Sequence, residues 1–294
     1  MLARFLIRTM DAQAVWTKPL GDLTFRFLHW LFHKMPAVRD LLNGRWLGHP
    51  LHAVLTDAPI GILFLVVVFD VLGEPAAAAW ALGVGILAML AAALAGSADY
   101  ADTDGRARER ATLHSTLMVL ALVLYVISLF LRLGGEGVLD PVPATAGWLS
   151  VASFLILSAG AYVGGDVVYL LGNMVNRHAF RGSGTKWIAL EPAEVDGDGR
   201  IPEGKPIKAK LGINQLVLVR QGEQILALHD TCAHAGGPLN EGKLIDGKLV
   251  ECPWHYSRYR LSDGLVVQGP SVYDQPAYEV RRREGGGWEA RRRS

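Results

Sequence analysis

Two short segments near the C-terminus each combine one thiol with one imidazole. They are Cys232-Ala233-His234 and Cys252-Pro253-Trp254-His255, and seventeen residues separate them. Thiolates and neutral imidazoles are ligands for zinc and for the iron of iron–sulfur clusters. The chain has only these two cysteines, so it carries no disulfide framework, which fits a reducing compartment. The sequence therefore predicts that both cysteines bind a metal centre.

Two kinds of centre suit this set of four ligands. A Cys₂His₂ set also binds a single tetrahedral zinc ion, but each arm of a common zinc site usually holds ligands of one kind. Here each arm holds one thiol and one imidazole. A Rieske-type [2Fe–2S] centre needs this mixture, because two thiolates bind one iron and two neutral imidazoles bind the other. The spacing therefore favours a cluster that is held between two loops.

The residues around these ligands closely resemble the two cluster-binding loops of the Rieske family. The runs that carry the resemblance are Cys-Ala-His-Ala-Gly-Gly-Pro-Leu at 232–239 and Cys-Pro-Trp-His-Tyr-Ser-Arg-Tyr at 252–259. The resemblance covers about residues 186–290. It implies a β-sandwich with a smaller cluster-binding subdomain at its tip and with histidines exposed to a redox partner. It also implies that the four ligands are Cys232, His234, Cys252 and His255.

Neighbouring positions distinguish classes within the family. Gly237 and Trp254 stand where respiratory Rieske proteins have a further pair of cysteines, so the loops look ferredoxin-type. Ser257 and Tyr259 stand where high-potential members have hydroxyls that donate to a bridging sulfide and to a ligand thiolate. Such donors stabilise the reduced cluster, so we expect a potential above the low ferredoxin range. The alternative is that both hydroxyls face solvent.

Two further positions depart from the family pattern. Tyr256 and Arg260 occupy places where the family tends to have Gly and Asp. Because of these departures, the family pattern does not predict the geometry of the second loop or the charge of the nearby surface.

Four long apolar stretches precede this region, at residues 54–72, 76–95, 112–133 and 148–171. Each has about the 20 residues that a membrane-spanning helix needs. Buried helices of a soluble protein are the alternative, but four consecutive runs with almost no charges favour membrane spans. The composition, 51% hydrophobic and 19% charged, agrees with this prediction. The net charge of +1 gives no support for nucleic acid as a partner.

Positive charge is concentrated on one side of the predicted spans. An even number of spans places the N-terminal arm, the second loop and the C-terminal domain on the same side. Their residues near the spans include thirteen Lys and Arg, against only Arg132 on the other side. The positive-inside rule places the positive side in the cytoplasm. We therefore expect a multi-pass protein of the bacterial inner membrane, with the N-terminus and the Rieske domain cytoplasmic.

The sequence predicts four parts. They are an arm at 1–47 with an amphipathic helix at 23–35, a four-helix transmembrane domain at 48–172, a linker at 173–185 with a hinge at Gly182-Ser183-Gly184, and a Rieske domain at 186–294. Short β-rich segments at 186–190, 215–220, 224–229, 248–252 and 277–282 indicate an all-β domain. The fold class is α+β multidomain, with a four-helix transmembrane bundle followed by an all-β Rieske domain.

The membrane half resembles an uncharacterised family of four-helix bacterial membrane proteins. The resemblance rests on residues 48–61, which begin Gly-His-Pro-Leu-His, and on matches at 95–100, His114 and 164–166; it implies no activity. Ionisable groups within membrane spans are costly and usually functional. Those of this half gather at one predicted end of the bundle: His49, His52, Asp57, Asp99, His114 and Asp166.

Three interpretations of these polar groups remain open. His52 and His114 could ligate a b-type haem, the same groups could line a quinone or proton site, or they could cap helices and bond to neighbouring helices. His29 and His33, four residues apart on the arm, could bind a metal or form part of an interfacial face.

The leading hypothesis is a membrane-anchored electron-transfer protein. Its cluster would exchange single electrons with a redox partner protein, and with a haem or quinone in the bundle. We expect a redox carrier or a subunit of an oxidoreductase rather than an enzyme on its own, since the large catalytic domain of a Rieske oxygenase would not fit in this chain. The alternatives are a redox-sensing or assembly subunit of a larger membrane complex, and the electron-supplying component of a separate Rieske oxygenase.

Overall fold

The computed structural model describes residues 2–134, 143–180, 184, 186–197 and 199–293. The chain forms two compact units, one of Met1–Met35 with Leu51–Asn173 and one of Pro36–Pro50 with Met174–Ser294. Residues 36–50 therefore belong to the second unit, although the sequence assigns most of them to the arm. The four-part division itself stays a prediction, and Gly182 and Ser183 of the predicted hinge lie outside the described residues.

Seven α-helices are present in the described residues. They are α1 (Leu2–Ala12), α2 (Ala14–Lys34), α3 (Pro36–Asn43), α4 (Leu51–Leu72), α5 (Pro75–Tyr100), α6 (Gly105–Leu133) and α7 (Ala144–Gly165). A π-helical turn, Asp166–Leu170, continues α7. The four helices α4 to α7 are long and apolar enough to cross a membrane, which confirms the predicted bundle.

The bundle consists of two helical hairpins, α4 with α5 and α6 with α7. Leu63, Leu82, Tyr125 and Leu157 lie fully inside it or nearly so. Small residues let the helices approach: a Cβ atom on Gly85 would lie 2.5 Å from a methyl carbon of Leu63. Close approach at small residues is how membrane helices gain packing energy, since lipid supplies no hydrophobic driving force between them.

Ion pairs hold both ends of the bundle. At one end Arg132 of α6 forms a bidentate pair with Asp70 of α4, at 2.7 and 2.6 Å. At the other end Arg110 of α6 bonds to Asp166 at 3.1 Å and to Asp11 of α1 at 2.6 Å. The side chains of both arginines are almost fully buried, and a buried charge needs a partner of this kind. The predicted amphipathic helix at 23–35 lies within α2, which contacts α5 and α6.

The described residues of the second unit form ten strands. They are β1 (Ile188–Pro192), β2 (Ile207–Leu211), β3 (Asn214–Gln221), β4 (Gln224–His229), β5 (Lys243–Ile245), β6 (Leu249–Glu251), β7 (Arg258–Arg260), β8 (Val266–Gln268), β9 (Ala277–Arg282) and β10 (Trp288–Arg292). The five predicted β segments each overlap a strand, and the all-β prediction is confirmed. β2, β5, β7, β8 and β10 were not predicted.

The strands form two sheets. Six of them close into an antiparallel barrel in the order β1-β10-β9-β4-β3-β2, and β5 to β8 form a separate four-stranded meander. The prediction of a β-sandwich is therefore wrong for the larger sheet. That sheet is a closed barrel, because β1 pairs with both β10 and β2. The meander is the smaller, cluster-binding subdomain, since the two loops with the Cys-x-His and Cys-x-x-His motifs lead into β5 and β7.

Helix α3 packs within the β unit. The Asp40 carboxylate accepts a hydrogen bond from the Gly269 amide at 2.8 Å and also pairs with Arg45 at 2.9 Å. The buried residues of α3 are Arg39 and Asn43, which are one helical turn apart. This helix therefore joins a segment from before the bundle to the loop that follows β8.

Candidate metal centre

The first loop is a tight turn that presents Cys232 and His234. The Cys232 amide donates to the Gly237 carbonyl at 2.9 Å, and the Gly236 amide donates to the Cys232 carbonyl at 3.0 Å. Gly236 has φ +93°, a conformation that side chains rarely adopt, so glycine is required there. The turn points its side chains toward the second loop.

The second loop repeats this design. The Cys252 amide donates to the Ser257 carbonyl at 2.8 Å, and the Tyr256 amide donates to the Cys252 carbonyl at 3.1 Å. Tyr256 adopts φ +66°, where a non-glycine residue is strained by about 1 kcal/mol. The departure from the family's usual glycine thus leaves the turn intact at an energetic cost.

The two thiols lie together in the interior. Cys232 and Cys252 are each 1% exposed and hydrogen-bond to each other. Burial raises the pKa of the Cys232 thiol, but hydrogen bonds from Cys252, Tyr259 and the loop amides outweigh it and leave the pKa below its usual value. The hydrogen bond to Cys232, together with burial, raises the pKa of Cys252. The hydrogen bond between the two thiols therefore shifts their pKa values in opposite directions.

The two imidazoles form a second pair. The ring centres of His234 and His255 are 4.9 Å apart, and the ring planes are 85° from parallel. The Nδ1 atom of His234 is buried and has no hydrogen-bond partner among the residues that the structure describes. Burial, together with the nearby charges of His255, Arg39 and Arg177, holds the pKa of His234 well below its usual range. His234 is thus a neutral imidazole with an unshared lone pair, which is the form that binds a metal.

This arrangement fits a two-iron cluster better than a single ion. In the described ranges no three Cys, His, Asp or Glu side chains converge as ligands of one ion. The thiols instead pair with thiols and the imidazoles with imidazoles, as two irons of different ligation require. A Cβ atom on Gly237 would lie 2.8 Å from the Cys252 sulfur, so this position also leaves room next to the thiols. A [2Fe–2S] cluster here would supply one-electron chemistry.

The two hydroxyls singled out by the sequence are both fully buried. The Tyr259 hydroxyl lies 3.1 Å from the Cys232 sulfur. Burial and the negative charge of Cys232 raise the pKa of Tyr259 well above its usual value, so it stays protonated and donates. The Ser257 hydroxyl accepts a hydrogen bond from the Ser271 amide at 3.0 Å, which leaves its hydrogen for another acceptor. Neither hydroxyl faces solvent.

Sequence reasoning missed Gln275, which supports the first loop. Its side-chain oxygen accepts from the Ala233 amide at 2.9 Å, and its side-chain nitrogen donates to the Thr231 carbonyl at 2.7 Å. Gln275 is 2% exposed. No motif marks this residue, because the loop it holds is more than forty positions earlier in the chain.

The segment that leaves the bundle also contacts the first loop. The Arg177 amide donates to the Ala233 carbonyl at 3.1 Å, and His178 Nε2 lies 2.9 Å from the Thr231 carbonyl. His234 is only 4% exposed, whereas His255 is half-buried. The expectation that both histidines are exposed is therefore wrong for His234.

The C-terminal and the membrane halves of the chain are similar to different families of known proteins. Residues 191–279 match the model of the Rieske [2Fe-2S] domain. "Ferredoxin CarAc" of Metapseudomonas resinovorans is 34% identical over 76 residues, which cover 26% of this chain and 70% of the relative. The chain belongs to the Rieske [2Fe-2S] family. The membership comes from its C-terminal domain alone.

Two further matches to the Rieske domain are also ferredoxins. The ferredoxin component of the naphthalene 1,2-dioxygenase/salicylate 5-hydroxylase systems of a Ralstonia species is 27% identical over 81 residues, 28% of this chain and 77% of the relative. Among solved structures, the ferredoxin of carbazole 1,9a-dioxygenase from Nocardioides aromaticivorans IC177 is 25% identical and has a TM-score of 0.29, covering 35% of this chain and 96% of that one. Residues 48–177 match the family described as predicted membrane protein (DUF2231), which confirms the second resemblance.

In the bundle, His52 and His114 come together. Their ring centres are 6.2 Å apart, with ring planes 75° from parallel. The Nδ1 atom of His52 lies 2.8 Å from the Ala92 carbonyl of α5, and that of His114 lies 2.8 Å from the Gly160 carbonyl of α7. The sequence proposed this pair, and the fold places its two rings next to each other.

The other predicted polar groups are distributed differently. Asp57 is exposed on α4, Asp99 is buried near the end of α5, and Asp166 pairs with Arg110. His49 belongs to the second compact unit, where its Nδ1 lies 3.3 Å from the Pro50 carbonyl. His29 and His33 stack on one face of α2, and His29 Nδ1 lies 3.3 Å from the Ala101 carbonyl.

Proposed function

We propose that this protein is a membrane-anchored one-electron carrier whose Rieske domain lies on the cytoplasmic face of the bacterial inner membrane. The observation that carries the proposal is the paired arrangement of ligands, with Cys232 beside Cys252 and His234 beside His255, and with a buried Tyr259 hydroxyl 3.1 Å from one sulfur. The four apolar helices support the membrane anchor. The positive charge of the loops supports the cytoplasmic orientation.

The proposed partner is a second redox protein. His255 is half-buried and the neighbouring Trp254 is 50% exposed, so this ligand offers a short path for an electron. The relatives named as ferredoxin components of dioxygenase systems favour an oxygenase as one class of acceptor. We therefore propose electron supply to a separate Rieske oxygenase as the second candidate function.

The helical bundle would also take part in electron transfer. Electrons would pass between the cluster and a haem or a quinone held by the polar groups of the spans. The contact of His52 with His114 supports this extension, because paired imidazoles from different helices suit a redox group within a bundle.

The test uses the full-length protein in detergent and in membranes. We expect the electron paramagnetic resonance (EPR) signal of a reduced Rieske cluster, with two irons and two sulfides per chain. A midpoint potential within about −150 to +300 mV is expected from redox titration. A single bound zinc ion, or a strongly negative potential, would contradict the proposal.

Orientation needs a separate measurement. Protease added to inverted membrane vesicles should release the Rieske domain, whereas protease added to intact spheroplasts should leave it attached. The opposite result would place the cluster on the outer face.

A further inference from the structure

The two histidines of the bundle share one local design. His52 of α4 bonds to the carbonyl of Ala92, and its ring lies against Gly96, one turn later on α5. His114 of α6 bonds to the carbonyl of Gly160, and its ring lies against Gly164, one turn later on α7. The two hairpins thus share this local arrangement, and each contributes one imidazole.

Both glycines are needed for the rings to occupy these places. A Cβ atom on Gly96 would lie 2.9 Å from the His52 ring, and one on Gly164 would lie 2.9 Å from the His114 ring. Atoms of neighbouring side chains do not approach this closely, so alanine at either position would displace a ring. Gly83 and Gly147, on the same two helices, have open space where a Cβ would be.

The hydrogen bonds fix the tautomer of each ring. A backbone carbonyl only accepts, so Nδ1 of both histidines must carry the proton. Nε2 is then the atom with a free lone pair, and no hydrogen bond to it occurs in the part of the chain that the structure describes. A histidine that donates from one nitrogen to a carbonyl is the usual form of a metal ligand through the other nitrogen. Both histidine residues keep a partly exposed surface in the fold.

The separation of the rings indicates the geometry of binding. A metal about 2 Å from a ring nitrogen lies about 3 Å from the ring centre, so two imidazoles on opposite sides of one metal have centres about 6 Å apart. The observed 6.2 Å matches this value.

A bare metal ion would lack ligands at this place. In the described ranges no third His, Cys, Asp or Glu side chain joins the pair. Two imidazoles on opposite sides of an iron fill two of its six coordination positions. The four nitrogens of a porphyrin would fill the other four.

We propose that His52 and His114 are the two axial ligands of a haem in the membrane bundle, bound through their Nε2 atoms. This inference deepens the proposed electron-transfer function by naming the redox group of the bundle. Gly96 and Gly164 are positioning residues, because they act through the rings that they contact.

The experiment uses the full-length protein purified in detergent, with hemin titrated into it. We expect one haem per chain with the optical spectrum of a six-coordinate, low-spin iron. Because the ring planes are 75° from parallel, its EPR signal should be strongly anisotropic. H52A and H114A should each lose six-coordination, whereas H52M should keep it and raise the haem potential.

Matched glycine variants separate a binding defect from a folding defect. G96A and G164A should weaken hemin binding by about tenfold or more, as changes next to metal ligands do. G83A and G147A should bind hemin like the unaltered protein. The Rieske EPR signal serves as an independent readout, since its loss would contradict the proposed function rather than the haem.

Three outcomes would overturn the haem proposal. They are no binding of hemin, a six-coordinate spectrum that survives in both H52A and H114A, and equal effects of all four glycine variants. Displacement of hemin by a quinone analogue that binds without hemin would assign the pair to a quinone instead.

Discussion

The two histidine pairs of this protein are built in opposite ways. In the Rieske loops, Nδ1 of His234 is buried and unbonded, and the ring centres of the pair are 4.9 Å apart. In the bundle, Nδ1 of both rings is bonded to a helix carbonyl, and the centres are 6.2 Å apart. The shorter distance suits two ligands side by side on one iron, and the longer one suits two ligands on opposite sides. The backbone therefore decides which nitrogen is available and which geometry the pair can adopt.

Removal of a ligand gives the largest expected effect and tests whether the pairs are independent. H234A should abolish the Rieske signal, because the iron would lose one of the two imidazoles proposed to bind it. H52A should leave that signal unchanged, since His52 lies in the other compact unit. EPR of the reduced protein measures both. Loss of the cluster in H52A would contradict the independence of the two pairs.

Replacement of Gln275 should destabilise the first cluster-binding loop without changing any of the four ligand residues. Q275A leaves the buried Ala233 amide and the Thr231 carbonyl without this partner, at a cost of about 2–3 kcal/mol in the free energy of unfolding. The temperature at which the Rieske absorbance disappears should fall. Q224A, at an exposed position of β4, is the control. An unchanged transition in Q275A would show that the loop is held by its own turn.

Tyr259 should raise the cluster potential through its hydrogen bond to Cys232. Y259F removes a donor that is stronger in the reduced, more negative state, so the potential should fall by about 50–100 mV. Y273F removes a hydroxyl that bonds to the Met174 carbonyl, and its potential should not change. An equal shift in both variants would contradict the role of Tyr259.

Arg39 and Arg177 should have a smaller effect of the same sign. Their positive charges act on His234 and favour the reduced cluster, so R39Q and R177Q should each lower the potential by about 20 mV. R281Q, at an exposed position of β9, is the control. A rise in potential in either variant would show that structural change outweighs charge.

Relief of strain at Tyr256 should give the smallest effect. Y256G places glycine at φ +66° and should stabilise the Rieske domain by about 1 kcal/mol, seen as a higher denaturation midpoint. D246G, at another non-glycine residue with φ +48°, should gain less because Asp tolerates this conformation better. A lower midpoint in Y256G would mean that the tyrosine ring contributes more than its backbone costs.

The sequence by itself predicts the two halves and the cluster loops. Hydrophobic runs of spanning length define the bundle, and the two mixed Cys/His motifs define the centre, because both features depend on local composition and short spacing. It also places His52 and His114 at the same end of their spans, since the helix rise fixes the depth of each residue.

Only the tertiary structure decides how these residues meet. The support of Gln275 for the first loop, the burial of His234 and the inclusion of α3 in the β unit all depend on contacts between distant segments. The closure of the barrel depends on pairing of β1 with β10, about a hundred residues apart. The repeat of a carbonyl and a glycine one turn later, behind each bundle histidine, likewise appears only once α5 packs on α4 and α7 on α6. Such contacts leave no periodic signal in the sequence, because packing geometry rather than local spacing creates them.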